Sequence, residues 1–186
     1  MSRKKLLIVD LDQTIIDSSI RENLCYPDGQ LCLTTYKSIK TCPNNGIVND
    51  CLLPFGYWLI DNFYNMALKF DIVFLTAREV NKYDLHSFDY LGLTTIFTDF
   101  RARIITRLDV GYYNGDPTQQ DSGLYKAPVI RTLKTCGNYD KVIVVDDCIK
   151  VLQMAQNNGY HAVCARDLYH FRRADFVDLF NKLAKI

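Results

Sequence analysis

Lys5-Leu6-Leu7-Ile8-Val9-Asp10-Leu11-Asp12-Gln13-Thr14 decides the fold. Its apolar run is too short for a helix and has no polar alternation, so it reads as a strand over Lys5 to Leu11, apolar on both faces as in the centre of a parallel sheet. It ends on two acids one residue apart. The same design recurs downstream. Ile72-Val73-Phe74-Leu75 runs into Thr76-Ala77-Arg78, and Lys141 to Val145 delivers Asp146-Asp147.

The segments between these strands read as helices. Phe55 to Lys69 carries Trp58, Leu59, Phe63, Met66, Ala67 and Phe70 at helical spacing, with Pro54 at the start. A weaker helix is expected over Val80 to Leu91, then a short strand over Thr95 to Thr98, and Arg103 to Gly115 alternates like a hairpin arm. Pro128 predicts a helix opening right after Lys126 and running over Ala127 to Cys136. Ile149 to Asn158 stops at Gly159, His161 to Ala165 forms a last strand, and Phe176, Val177, Leu179, Phe180 and Leu183 mark a terminal amphipathic helix over Ala174 to Lys185. About five strands and five helices in alternation predict a three-layer α/β/α, Rossmann-like fold around a central parallel sheet. No linker divides it, so residues 1–186 are read as a single domain with excursions at about 17–53 and about 100–125.

With 186 residues, 48% of them apolar, and a formal charge of +1, the chain can bury a core and lacks the composition of a disordered protein. No long apolar span or clustered basic face points to a membrane or nucleic-acid partner; Arg101, Arg103 and Arg107 form only a short cluster. The amino terminus has too few apolar residues for an export signal, which predicts a cytosolic location. The seven cysteines contain no C-x-x-C pair. Cys25, Cys32, Cys42 and Cys51 are spaced by seven, ten and nine, unlike a common zinc site, and reduced thiols are the expectation. His86, His161 and His170 show no ligand spacing, and the twelve tyrosines read as packing.

Ligands of open parallel sheets bind outside the carboxyl ends of the strands, so residues at strand tips carry the chemistry. Carboxylates gathered at neighbouring tips repel one another in a crevice of low dielectric, and a hard divalent cation, Mg²⁺, is the natural counter-charge. Lys126, the Thr76 hydroxyl and the backbone N–H groups around Ala77 can hold phosphate oxygens. Asp12, two residues from a nucleophile, can protonate a leaving group. Arg78 is close enough to contact a substrate, although a surface arginine at a helix start is the commoner case. Taken alone, Asp10 and Asp12 could be turn formers or caps; the second acidic pair makes that reading a costly coincidence.

Asp10-Leu11-Asp12-Gln13-Thr14, Thr76, Lys126 and Asp146-Asp147, in that order across nearly the whole chain, resemble the four motifs of the haloacid dehalogenase superfamily. The resemblance implies a Mg²⁺-dependent phosphohydrolase that cleaves a phosphomonoester through an aspartyl-phosphate on Asp10. It also implies that Asp12 is acid/base and a backbone-carbonyl metal ligand, that Thr76 and Lys126 bind the phosphoryl group, that Thr14 supports the loop, and that Asp146 and Asp147 hold Mg²⁺ directly or through water. A response-regulator receiver needs its acidic pair on the first strand, and here the pair comes last. A phosphotransferase or mutase, and a non-catalytic binding module, remain the alternatives. In this superfamily the position of the 17–53 insert holds a flap or small cap. An open crevice favours phosphate on large substrates such as proteins or polynucleotide ends, while nucleotides and small metabolites stay open too. Oligomeric state is not legible.

Overall fold

In the computed structural model, which describes residues 4–20, 50–78, 82–98, 103–106, 109 and 122–186, the opening apolar run is strand β1 (Lys5–Val9). β1 lies in the middle of a five-stranded sheet in which every pairing is parallel. On one side of it come β4 (Asp71–Leu75) and then β5 (Arg103–Ile105). On the other come β6 (Lys141–Asp146) and β7 (His161–Cys164). A separate antiparallel ladder of β2 (Ile16–Asp17) and β3 (Cys51–Leu52) closes the two ends of the 17–53 excursion against each other. Most of that excursion lies outside the described residues, including Tyr26-Pro27-Asp28-Gly29, whose composition predicts a hairpin turn, and Cys25, Cys32 and Cys42; so does most of the 100–125 excursion.

Alternation along the strands divides the core in two. Leu7, Val9, Phe74, Ile143 and Val145 face one layer, built from α1 (Pro54–Ala67), α2 (Lys82–Tyr90), α3 (Thr94–Thr98) and α6 (Arg173–Lys185). Leu6, Ile8, Val73, Leu75, Val142 and Val144 face the other, built from α4 (Ser122–Gly137) and α5 (Ile149–Asn157). Both layers being apolar is why the strands read as unbroken apolar runs rather than as alternating ones. In the first layer Phe55 and Trp58 of α1 stack on Phe176 and Phe180 of α6, with ring centroids 5.1–5.8 Å apart. Such pairs add about 0.5–1.5 kcal/mol each to the burial of the rings. No helix among the described residues is long and apolar enough to cross a membrane.

Three expectations are corrected. Residues 95–98 are helical, within α3, and not a strand. Ile96 is buried, and Phe97 meets Phe74 and Phe88 edge-on at 5.2 and 5.5 Å; this packing outweighs the β propensity of Thr, Ile and Phe. Arg103–Ile105 is not a hairpin arm but a parallel edge strand on β4. The helix expected after Lys126 begins earlier, at Ser122, so Lys126 lies inside it and Pro128 interrupts its backbone bonding. Pro128 is exposed, and the carbonyl left without a helical partner can be solvated.

Gly56 sets how closely α1 approaches the loop after β1. A Cβ there would sit 2.4 Å from the carbonyl oxygen of Ile15, a backbone atom that cannot swing aside, and that same carbonyl accepts the Leu53 N–H at 3.0 Å. Gly56→Ala is therefore expected to lose about 1–3 kcal/mol of stability, read as a lower denaturant midpoint at unchanged slope. An unchanged midpoint would mean that α1 and the loop separate freely.

Candidate active site

The register of the sheet assembles the site. Val9 lies opposite both Phe74 and Val145, so Asp10, one residue past the end of β1, stands beside Asp146, the last residue of β6. The Asp10 N–H bonds the Val145 carbonyl at 3.0 Å, extending the pairing by one residue. The chain leaves β1 toward the α1 layer and β6 toward the α5 layer. The carboxyl ends of β1 and β6 therefore flank a crevice at the switch point of the sheet, where such folds bind ligands.

Between the two acids lies Lys126, carried in from α4, whose Tyr125, Val129 and Ile130 anchor it on the second layer. Its Nζ is 2.7 Å from Asp10 Oδ1 and 2.7 Å from Asp146 Oδ2, and all three side chains are buried. Burial alone would push the ammonium down, but the two carboxylates override it and hold Lys126 well above its ordinary range. For Asp10 the balance is opposite. Burial pushes its carboxyl well above the usual range, Lys126 pulls back, and the charges of Asp146 and Asp12 add to the rise. One ammonium thus faces two buried acids. Asp147, half-buried, is raised by burial and by Asp146, and the exposed Arg166 at 3.4 Å only partly offsets this.

Asp10, Asp146 and Asp147 each place a carboxylate oxygen within 4.8 Å of the others. Three hard oxygen donors, a shortfall of positive charge and a converging geometry fit a divalent cation of the Mg²⁺ type. The Asp146 oxygen not engaged by Lys126 accepts the Cys148 N–H at 2.9 Å, which fixes the plane of that carboxylate.

The tip of β4 supplies the rest. The Thr76 N–H bonds Ile105 O at 3.1 Å, and its fully buried hydroxyl accepts the Arg78 N–H at 3.0 Å, a local turn that curls Ala77 and Arg78 over the sheet edge. Arg78 is not the surface residue that its type suggests. It is 6% exposed, its Nε bonds Asp12 Oδ2 at 3.1 Å, one terminal nitrogen bonds Asp12 Oδ1, and the same nitrogen bonds Asp50 Oδ2 at 3.1 Å. The Phe88 ring lies 5.6 Å from the guanidinium carbon.

The loop after β1 is closed by backbone bonds from Thr14, Ile15 and Ile16 to Leu11 O, with Gln13 at φ 54°. The Thr14 hydroxyl is buried and has no hydrogen-bond partner among the described residues, while the Thr14 N–H bonds Leu11 O at 3.3 Å. A 3₁₀ turn, Ala165–His170, braces the site from outside: the Tyr169 hydroxyl donates to Gln13 O at 2.6 Å while Arg166 reaches Asp147.

The expected residues thus fall into two adjoining groups, Asp10, Lys126, Asp146 and Asp147 in one, and Asp12, Thr76 and Arg78 in the other. Asp50, Arg166 and Tyr169 join them without any signal in the sequence. None has a motif, and only the pairing of β2 with β3 or the return of the chain after β7 brings them in. The Cys51 thiol, raised by burial and by Asp17 and Asp50, is free and exposed.

Known proteins share the sequence signature and the fold. The sequence signature of the family described as bacteriophage T5 5′-deoxynucleotidase matches residues 1–177. A haloacid dehalogenase-like family hydrolase from Streptococcus pneumoniae superposes with a TM-score of 0.56 at 15% identity, covering 96% of this chain and 99% of that one. A second hydrolase, from Streptococcus pneumoniae TIGR4, superposes at 0.50 with 14% identity, covering 90% and 97%. At such identities the likeness is one of fold. No functionally curated protein matches the sequence significantly.

Proposed function

Because the chain belongs to the bacteriophage T5 5′-deoxynucleotidase family, we propose that it hydrolyses a deoxynucleoside 5′-monophosphate with Mg²⁺, by way of an aspartyl-phosphate on Asp10. The chain is a phosphatase-type hydrolase on the haloacid dehalogenase fold. The observation that carries the finer reading is the buried Asp10–Lys126–Asp146 cluster beside Asp147 at the switch point, with Asp12 one turn of loop away.

In the first half-reaction an Asp10 carboxylate oxygen bonds to phosphorus as the bond from phosphorus to the nucleoside oxygen breaks, and Asp12, protonated, gives its proton to that oxygen. In the second, Asp12 takes a proton from water, the water oxygen bonds to phosphorus, and the Asp10–phosphorus bond breaks to release inorganic phosphate. Lys126, the Thr76 hydroxyl and the Ala77 backbone N–H hold the phosphoryl oxygens. The Asp10, Asp146 and Asp147 carboxylates and the Asp12 backbone carbonyl would hold Mg²⁺. When bound, the metal neutralises charge on the phosphoryl group. Arg78 faces the leaving-group side, where Asp12 stands.

The chain works as one catalytic domain over residues 1–186, with the excursion at about 17–53 as the candidate flap and that at about 100–125 as a second candidate for contact with the substrate. Free thiols at Cys51, Cys136, Cys148 and Cys164 support a cytosolic setting.

The test is a panel of deoxynucleoside and ribonucleoside 5′-monophosphates, sugar phosphates, phosphopeptides and phosphorylated oligonucleotides, with Mg²⁺ or EDTA. Deoxynucleoside monophosphates are expected to show the highest kcat/KM, with phosphate released in equal amount to nucleoside, which separates hydrolysis from transfer. EDTA should lower the rate by about 10³-fold or more, the equivalent of several kcal/mol of lost charge stabilisation. Full activity in EDTA, or preference for a peptide or an oligonucleotide end, would remove this reading.

A further inference from the structure

The buried ions on the β4 side of the crevice do something that phosphate binding does not require. Arg78 grips both oxygens of Asp12 with two of its nitrogens, and the same fork is held from behind by Asp50. The Arg78 and Asp50 side chains are 3% and 1% exposed, whereas Asp12 keeps 22% of its side chain accessible at the crevice. Buried ion pairs are weak sources of stability, because desolvation offsets most of the attraction. What a two-nitrogen grip does provide is orientation, since it fixes the plane of the carboxylate as a single point charge cannot.

Each member is itself anchored. The Arg78 backbone is tied to the Thr76 hydroxyl, and Asp50 directly precedes β3, whose pairing of Cys51 with Asp17 locks it to the chain emerging from the β1 loop. The 17–53 excursion is thereby joined at its base to the orientation of Asp12.

We propose that Asp50 and Arg78 are positioning residues that aim the Asp12 carboxyl at the leaving-group oxygen. The proposal rests on the reading of Asp12 as the acid/base. A correctly aimed acid matters most for a leaving group that cannot depart as an anion. The 5′ oxygen of a nucleoside needs a proton as it leaves; p-nitrophenolate does not. Loosening the aim should therefore slow the nucleotide more than the aryl phosphate.

The experiment measures kcat and KM for thymidine 5′-monophosphate and for p-nitrophenyl phosphate, with Mg²⁺, in the parent and in Asp50→Asn, Arg78→Lys and Asp12→Asn. In Asp50→Asn and Arg78→Lys the ratio of nucleotide to aryl kcat/KM, which excludes the shared dephosphorylation step where Asp12 acts as base, is expected to fall about tenfold, a fraction of the full effect of a general acid. Asp12→Asn should lower that ratio further. Asp50→Glu, which keeps the charge, should recover part of it. Should Asp50→Asn melt below the assay temperature, Arg78→Lys still reports, because it keeps the buried cation and loses only the fork.

If Asp12→Asn lowers the ratio while Asp50→Asn and Arg78→Lys slow both substrates equally, the pair is merely structural and the inference fails by itself. Were KM for both phosphates to rise with kcat intact, Arg78 would be a substrate contact and the positioning role would be wrong. An Asp12→Asn enzyme with an unchanged ratio would refute the acid/base reading on which the inference rests.

Discussion

Asp10→Asn is expected to lower kcat by about 10⁴-fold or more while leaving the protein at least as stable as the parent near neutral pH. The amide oxygen is a poor nucleophile, and no other carboxylate among the described residues is held in the same place one residue beyond the central strand. The stability half follows from burial. The folded-state carboxyl of Asp10 titrates well above its ordinary value, chiefly through desolvation, with Lys126 compensating only in part. A raised acid contributes stability that is fully present below its unfolded pKa and lost as pH rises through the folded value. As pH rises above the ordinary carboxyl range the parent progressively loses that contribution, whereas an uncharged Asn has none to lose. Lys126 keeps Asp146 at 2.7 Å in the variant and is not stranded. Melting curves in EDTA between pH 4 and pH 8 should show the variant gaining on the parent as pH rises. Retained turnover, or a variant that loses ground with rising pH, contradicts the assignment.

Lys126→Met should be damaging in both respects. Methionine approximates the volume but leaves Asp10 and Asp146 buried and facing each other without the ammonium that sits 2.7 Å from both. Removing one partner of a buried ion cluster commonly destabilises by about 3–5 kcal/mol. The deficit should shrink on acidification, because protonating Asp10 removes one of the opposed charges, and the same sign rule applies: with its folded pKa raised further, Asp10 favours the fold at low pH and opposes it as pH rises. Turnover should fall by about 10²–10³-fold through loss of a phosphoryl-oxygen donor. A Lys126→Met protein that melts with the parent at pH 7 would mean that the two acids are not in contact as charges.

Asp10 and Asp146 are legible in the sequence because strand tips announce themselves. An apolar run that breaks on acid leaves few places for the acid to go except the carboxyl edge of the sheet. The order of the tips along the chain then limits how they can be neighbours, and Lys126, falling between the second tip and the last, has a place in that order. Arg78 illustrates where such reading stops. Its position after Thr76 is visible, but its partners are not: Asp50 is twenty-eight positions away and reaches it only through a two-residue ladder that no composition marks. Thr95–Thr98 misleads for a different reason. Its residues favour strands in isolation, yet Ile96 and Phe97 have a core to fill beside Phe88, and helical geometry turns both toward it. Pro128 misplaces the start of a helix because proline's preference for a first turn is not a rule.

The central place of β1 also governs the order in which the molecule can be made. Its residues pair on one side with 71–74 and on the other with 141–145. β1 is synthesised before both and therefore waits for partners lying some 65 and 135 positions behind it, on the order of ten seconds or more at ordinary rates of translation for the second. Throughout that wait an apolar strand keeps a bare backbone edge, the kind of surface that chaperones shield and aggregates recruit. Competence then arrives in a single event, since the arrival of β6 seats the strand and brings Asp146 alongside Asp10.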